Sequence, residues 1–234
     1  MGRTLLVGDV HGCRDELDAL LDRAAFTSGD HLVLVGDVLA RGPDSLGVLD
    51  IVRRTGASMV RGNHEDKLLG WADAPPLRKP ALGPVHGPLA ATLRESDWHA
   101  LRTAPLALDL DAHDLTVVHA GVVPGIAMSA QKPATLMAIR TVKAEGKDRQ
   151  RADVLWGSVY QGPRHLVFGH HAMARLQLHR YATGLDTGCV YGGALTGLLL
   201  EAGQAVPANV SDRRTLLVSA PARRAYYVPA HTPA

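Results

Sequence analysis

The chain has 234 residues, 46% of them hydrophobic, and 25 basic against 23 acidic residues leave a formal charge of only +2. That balance argues against nucleic acid as a partner, and no apolar run approaches the length of a membrane span. One domain over residues 1–234 is expected, since no linker, repeat or low-complexity stretch divides the chain. The two cysteines, Cys13 and Cys189, are too few for a disulfide framework, and the N-terminal apolar run, cut off at Gly8-Asp9, is too short for a signal peptide. Both observations point to the cytoplasm.

Arg3 to Val7 is short, apolar and β-branched, which predicts a buried strand running into Gly8-Asp9-Val10-His11-Gly12. Leu17, Leu20 and Leu21 recur at helical spacing, so a helix follows over Asp15 to Ala25. Asp9 and His11 thus lie where a strand ends and a helix begins, and residues i and i+2 of an extended segment point to the same side. Leu32 to Val35 repeats the device and ends in Gly36-Asp37. The loop Val38 to Pro43 carries Arg41 and leads to a helix near Asp44 to Arg54, whose first turn Pro43 suits. A third strand, Ser58 to Val60, runs into Arg61-Gly62-Asn63-His64-Glu65. The three are expected to be parallel and to deliver Asp9, Asp37 and Asn63 to one sheet edge.

Prolines break the pattern from Ala74 to Pro88, predicting an irregular segment before a helix over Ala90 to Leu101. Leu106 to Leu110 and Leu115 to Val118 form a hairpin around Asp111 to Asp114, and the second strand ends in His119-Ala120-Gly121. A short helix over Pro133 to Val142 carries Arg140, and the charged stretch Lys143 to Asp153 is expected to be exposed. Leu166-Val167-Phe168 then runs into Gly169-His170-His171. Strands over Tyr181 to Asp186 and Ala194 to Leu200 flank a turn. The tail from Pro207 onward carries no readable chemistry.

The strand-end residues Asp9, His11, Asp37, Asn63, His119 and His170 make two carboxylates, one amide oxygen and three imidazoles. A mixed O/N set suits Mn²⁺, Fe or Zn²⁺ better than Ca²⁺, which takes oxygen alone, or a structural Zn²⁺, which takes thiolates. Six ligands are too many for one catalytic ion with open positions and suit two ions sharing a carboxylate, for which Asp37 is the natural bridge.

Gly-Asp-Val-His-Gly, Gly-Asp-Val-Leu-Ala-Arg-Gly, Arg-Gly-Asn-His-Glu, His-Ala-Gly and Gly-His-His, in that order from Gly8 to His171, resemble the calcineurin-like metallophosphoesterases of the phosphoprotein phosphatase superfamily. The resemblance implies an α/β fold with a central β-sandwich flanked by helices. It implies two divalent metal ions, Mn²⁺ first and Co²⁺, Fe or Zn²⁺ as alternatives. Asp9, His11 and Asp37 would hold one, and Asp37, Asn63, His119 and His170 the other. It further implies that His64 acts beside the leaving group as general acid, that Arg41 binds phosphate, and that hydroxide made on the metals attacks phosphorus in line.

Ala40 departs from the protein-phosphatase branch, where an Asp before the motif Arg orients the catalytic His; Glu65 and Asp66 are the candidates to replace it. Ala40-Arg41-Gly42-Pro43 and Leu185-Asp186-Thr187-Gly188-Cys189 look instead like the bacterial symmetrical diadenosine tetraphosphatases, which split their dinucleotide into two ADP. Within that group the chain is short between His119 and His170, and Arg140 would correspond to a phosphate-binding Arg of that region. The expected substrate is a nucleotide polyphosphate. A phosphoprotein Ser/Thr or Tyr phosphatase is the alternative, and a non-enzymatic metal-binding relative the third reading. The expected partners include no nucleic acid and no membrane. Cys13, Cys189 and the remaining histidines (His31, His86, His99, His113, His165, His171, His179 and His231) read as packing or surface residues, His171 least securely because it adjoins His170. Arg61 reads as a phosphate contact or a structural ion pair. No stacking residue for adenine is evident among so few aromatics, which are 4% of the chain.

Overall fold

The computed structural model describes residues 2–145 and 151–228, so His231 and the middle of the charged stretch lie outside the described residues. Two mixed sheets face each other. The first holds β1 (Thr4–Val7), β2 (His31–Leu34) and β3 (Ser58–Met59), joined later in the chain by β11 (Asp186–Thr187), β12 (Ala194–Leu200) and β13 (Leu217–Pro221). Its order is β11-β12-β1-β2-β3, with β13 also on β12. The second holds β4 (Ala107–Leu110), β5 (Leu115–Val118), β8 (His165–Phe168), β9 (Gln177–His179) and β10 (Ala182–Gly184), in the order β4-β5-β8-β10-β9. A separate hairpin pairs β6 (Thr141–Glu145) with β7 (Arg151–Leu155).

The expected parallel run is present in β1, β2 and β3, but the sheet is not parallel throughout, because β12 joins β1 antiparallel. His119 and His170 follow β5 and β8, which are parallel to each other in the opposite sheet. Period-2 alternation explains why both strand faces are apolar. Leu6, Val33 and Val35 meet Leu115, Val117 and Val167 between the sheets. Leu5, Val7, Leu32 and Leu34 turn outward onto α1 (Arg14–Arg23) and α2 (Ser45–Thr55), against Leu17, Leu20, Leu49 and Ile51. On the far side, Val118, Leu166 and Phe168 pack on Trp156 and Leu136.

Helix ends follow local chemistry. Asp44 caps α2 by accepting from Gly47 N at 2.7 Å, and Gly56 closes it at φ 64°. α3 (Asn63–Ala72) starts directly on the third motif, so Asn63 and His64 sit in a first helical turn. The irregular segment holds a 3-10 turn over Pro76–Arg78 and a one-turn α4 (Gly87–Ala90), and the next helix, α5 (Glu95–Thr103), starts later than the spacing predicts.

The structure corrects several expectations. α6 (Pro133–Ala138) is shorter than predicted, and Arg140 lies beyond it, because Ile139 turns extended (φ −67°, ψ 139°) on the way into β6. Of the charged stretch, Lys143 and Asp153 are exposed as expected but belong to a hairpin, in which they pair across strands at 2.9 Å. The predicted strand Tyr181 to Asp186 is two strands, β10 in one sheet and β11 in the other, with buried Leu185 between them. After β7 comes a short α7 (Trp156–Val159). The tail, unreadable in sequence, contributes α8 (Val210–Arg214) and β13. It is anchored by Arg213, fully buried, whose guanidinium donates to the backbone oxygens of Pro207, His179, Arg180 and Ala208. Cys13 and Cys189 are free, buried thiols in the helix-side core. No helix among the described residues is long and apolar enough to cross a membrane.

Candidate metal centre and active site

The six predicted ligands converge at the strand ends where the two sheets meet. Asp9 and Asp37 are 3% and 2% exposed, and His119 is fully buried. Asp37 Oδ2 lies 3.7 Å from His11 Nε2 and 3.5 Å from His119 Nε2, so one carboxylate oxygen stands between imidazoles from opposite sheets. Donor atoms of His11, Asp37 and His64 form one compact group, and those of Asp37, His119 and His170 a second, within 4.8 Å in each. Asp37 is common to both. Asn63 Oδ1 is 3.1 Å from His119 Nε2, and Asp9 Oδ2 is 4.0 Å from His11 Nε2.

The backbone is bent to make this possible. His11, Asp37, Ala40, Arg41 and His170 all have positive φ, between 47° and 70°, where non-glycine residues are uncommon and which tends to mark functional sites. Glu65, fully buried, holds the second motif in that shape. Its Oε2 accepts from Asp37 N at 2.9 Å and Gly62 N at 3.0 Å, and its Oε1 from Val38 N at 3.0 Å and Leu39 N at 3.2 Å. Burial, helped by the neighbouring Asp37 carboxylate, pushes Glu65 up to about 7 against the pull of His119 and of the Asp37 and Leu39 amides. Asp9 is held by His170 N, which donates to both of its oxygens at 3.0 and 3.1 Å. Two glycines leave space for the carboxylates: a Cβ on Gly62 would overlap Asp37 Oδ1, and one on Gly169 would overlap Asp9 Oδ1.

Hydrogen bonding fixes the tautomers that a metal needs. His11 Nδ1 lies 3.1 Å from Leu39 O and His119 Nδ1 2.9 Å from Val35 O, so each Nδ1 carries the proton. His119 Nε2 then faces the Asp37 and Asn63 oxygens, and His11 Nε2 faces Asp9 and Asp37 while accepting from Arg41. Such a cluster of acceptors needs a proton or a cation at its centre. For His119, burial works against the charge, yet Asp37 pushes the imidazole up to about 10. Burial pushes His11 down to about 4 and His170 down to about 3. The donor set therefore fits two divalent cations, with Asp37 the residue common to both donor groups.

Arg41 Nη1 donates to His11 Nε2 at 3.0 Å, and Arg41 and Arg140 line one cavity of about 640 Å³ together with Asp37, Asn63 and His170. His64 is 5% exposed with Nε2 4.0 Å from Asp37 Oδ2, and burial pushes it down to about 3. Neither candidate for orienting it does so. Glu65 serves the backbone, and Asp66 lies 3.6 Å from Arg61, whose other partner is Arg102 O at 2.9 Å. Instead His64 Nδ1 is 3.0 Å from His86 Nε2, with the rings stacked at 4.9 Å. His86 comes from the proline-broken segment, where sequence offers no spacing signal. Sequence reading also missed Asp186, His171, Tyr191 and Tyr227 as cavity-lining residues. Burial pushes Asp186 up to about 6.

Comparison with known proteins places these observations in a family. A sequence profile of calcineurin-like phosphoesterases matches residues 2–196. The chain is 34% identical to a symmetrical bis(5′-nucleosyl)-tetraphosphatase of Chromohalobacter salexigens over 270 residues, covering 86% of this chain and 96% of the relative. It is 31% identical over 216 residues to the asymmetrical bis(5′-nucleosyl)-tetraphosphatase PrpE of Halalkalibacterium halodurans, covering 82% and 88%. A crystal structure described as a candidate diadenosine tetraphosphatase superposes with a TM-score of 0.75 at 33% identity, over 94% of this chain and 93% of the other.

Proposed function

The chain belongs to the calcineurin-like phosphoesterases, a family of dimetal enzymes, and on that premise we propose that it hydrolyses dinucleoside polyphosphates, splitting diadenosine tetraphosphate into two ADP. The observation that carries this reading is the shared Asp37 oxygen beside Arg41, with Arg140 in the same cavity, because a polyphosphate bridge offers several anionic oxygens to grip at once. The names of relatives alignable over most of their length support the substrate class. Two free, buried thiols accord with a cytoplasmic enzyme, and apolar clusters that share strands accord with one domain.

Asp9, His11 and Asp37 would hold one cation, and Asp37, Asn63, His119 and His170 the other; the O/N donor set suits Mn²⁺, with Co²⁺, Fe or Zn²⁺ fitting the same atoms. When bound, such a pair supplies Lewis acidity that acidifies water and offsets charge on the attacked phosphate. Arg41 and Arg140 grip phosphate oxygens through forked N–H pairs. His64 would give a proton to the departing oxygen from Nε2, with Nδ1 bonded to His86, the negative charge of a bound polyphosphate favouring the imidazolium that burial alone disfavours. Cys13 and Cys189 are buried beside the Glu16 carboxylate, do not line the cavity and take no part.

A digest of diadenosine tetraphosphate resolved by chromatography tests the proposal, with two ADP as the expected products. ATP plus AMP would establish asymmetric cleavage, the second reading, which chain length favours. The symmetrical relative aligns over 270 positions with 86% of this 234-residue chain, and the asymmetrical one over 216 positions with 82%, so the symmetrical alignment needs the more inserted length. Phosphate release from a phosphopeptide with no nucleotide turnover would refute both.

A further inference from the structure

The cavity beside the donor cluster carries two aromatic side chains that phosphate chemistry does not need. Tyr191 and Tyr227 are half-buried, with ring centroids 6.2 Å apart and planes tilted by 59°. Arg41 joins this wall to the donor cluster. Its Cζ lies 5.6 Å from the Tyr191 ring and 5.4 Å from the Tyr227 ring, while its Nη1 reaches His11 Nε2 at 3.0 Å. The rings thus stand one guanidinium away from where phosphate would bind.

Backbone bonds hold the wall in place. Tyr226 N and Tyr227 N both donate to Val190 O, at 2.9 and 3.0 Å, and Ala222 N donates to Gly193 O at 2.9 Å. Tyr191 N donates to Gly188 O at 2.9 Å, which closes the turn from the other side. Ala172, Ala225 and Val228 complete an apolar lining around the rings. A rigid, half-open aromatic surface next to a cation suits a flat, polarizable ring that is covalently tied to an anion.

We propose that Tyr191 and Tyr227 form a nucleobase subsite, on which one base of the substrate stacks while its polyphosphate lies under Arg41 and Arg140. The proposal rests on the dinucleotide reading above and names the residues that read the nucleoside. Every base has a π-face, so stacking here tolerates different bases. The competing role for the rings is to hold Arg41 alone through cation–π contact.

The two roles separate in competition assays with p-nitrophenyl phosphate as the reporter substrate. The probes are inorganic tetraphosphate, which has no base, and a methylene-bridged, uncleavable diadenosine tetraphosphate. Tyr191→Ala and Tyr227→Ala should weaken the dinucleotide about tenfold more than they weaken tetraphosphate, and the Phe variants should restore it. Equal losses on both probes would assign the rings to Arg41 and overturn the subsite. The wild-type enzyme gives a measurement independent of variant folding: adenosine tetraphosphate should bind about tenfold tighter than inorganic tetraphosphate, and equal binding would overturn the proposal. If wild type binds tetraphosphate, hydrolyses p-nitrophenyl phosphate and ignores every nucleotide, the dinucleotide reading itself falls and takes the subsite with it.

Discussion

Glu65→Gln perturbs the site without replacing any predicted ligand. At pH 8 the carboxylate is ionised, and its two oxygens serve four buried amides at 2.9–3.2 Å. Glutamine keeps the shape but turns one acceptor into a donor, so whichever way the amide settles, two N–H groups face an NH₂. Each buried amide left without a partner costs about 1–3 kcal/mol, which puts the variant about 2–6 kcal/mol below wild type. That is a large share of the ~5–15 kcal/mol that holds a typical domain together. Urea unfolding should show the midpoint fall by about 1 M or more. Activity should fall with it, because the same bonds hold Asp37, in its left-handed backbone conformation, and the Val38-Leu39 stretch that leads to Arg41. Superimposable unfolding curves with full turnover would refute the idea that Glu65 braces the motif.

Gly169→Ala should lower bound metal, measured by elemental analysis after dialysis, because its methyl group takes the space of Asp9 Oδ1; unchanged metal content would contradict that packing. His64→Asn should slow esters of poor leaving groups by about 10²–10⁴-fold yet barely affect p-nitrophenyl phosphate, whose leaving group departs without a proton. His86→Ala should show the same dependence on leaving group in weaker form, and a uniform loss across leaving groups would remove His86 from the positioning of His64. Arg3, pairing at 2.7 Å, holds the Asp30 carboxyl well below the usual carboxylate range, so its stabilisation is present above the unfolded value of about 3.9 and is lost as pH falls through the folded one. Asp30→Asn should therefore melt below wild type at pH 7 and converge on it in strong acid, and a gap independent of pH would exclude the ion pair as its source.

Sequence located the candidate site wherever a predicted ligand adjoins a strand end. Asp9, Asp37, Asn63, His119 and His170 each follow a short apolar run and a turn, and periodicity locates such junctions well. It could not assign those strands to sheets. β5 and β8 read like β1 and β2, and only tertiary pairing puts them in the opposite layer. Leu185 illustrates the same limit: an unbroken β-like run conceals the residue at which the chain leaves one sheet for the other. Arg140 was found as a cavity residue but misplaced on a helix, since Ile139 and Thr141 are β-branched and follow the extended path into β6. His86, Tyr191 and Tyr227 gave no signal because each reaches the site from a segment without periodicity. Their roles depend on which part of the chain folds over the cavity.

The division of ligands between layers has a thermodynamic consequence. Asp9, Asp37 and Asn63 follow strands of one sheet, and His119 and His170 follow strands of the other, and beside apolar contacts such as Leu6, Val33 and Val117 the layers are joined there by the His119 Nδ1–Val35 O and His170 N–Asp9 hydrogen bonds. An ion that needs donors from both can be held only while the layers are docked, so its binding free energy adds to their cohesion. The site then acts as a clasp across the sandwich. Chelation should loosen the seam between the sheets before it disturbs either sheet, and amide exchange should quicken first at Asp37, His119 and His170.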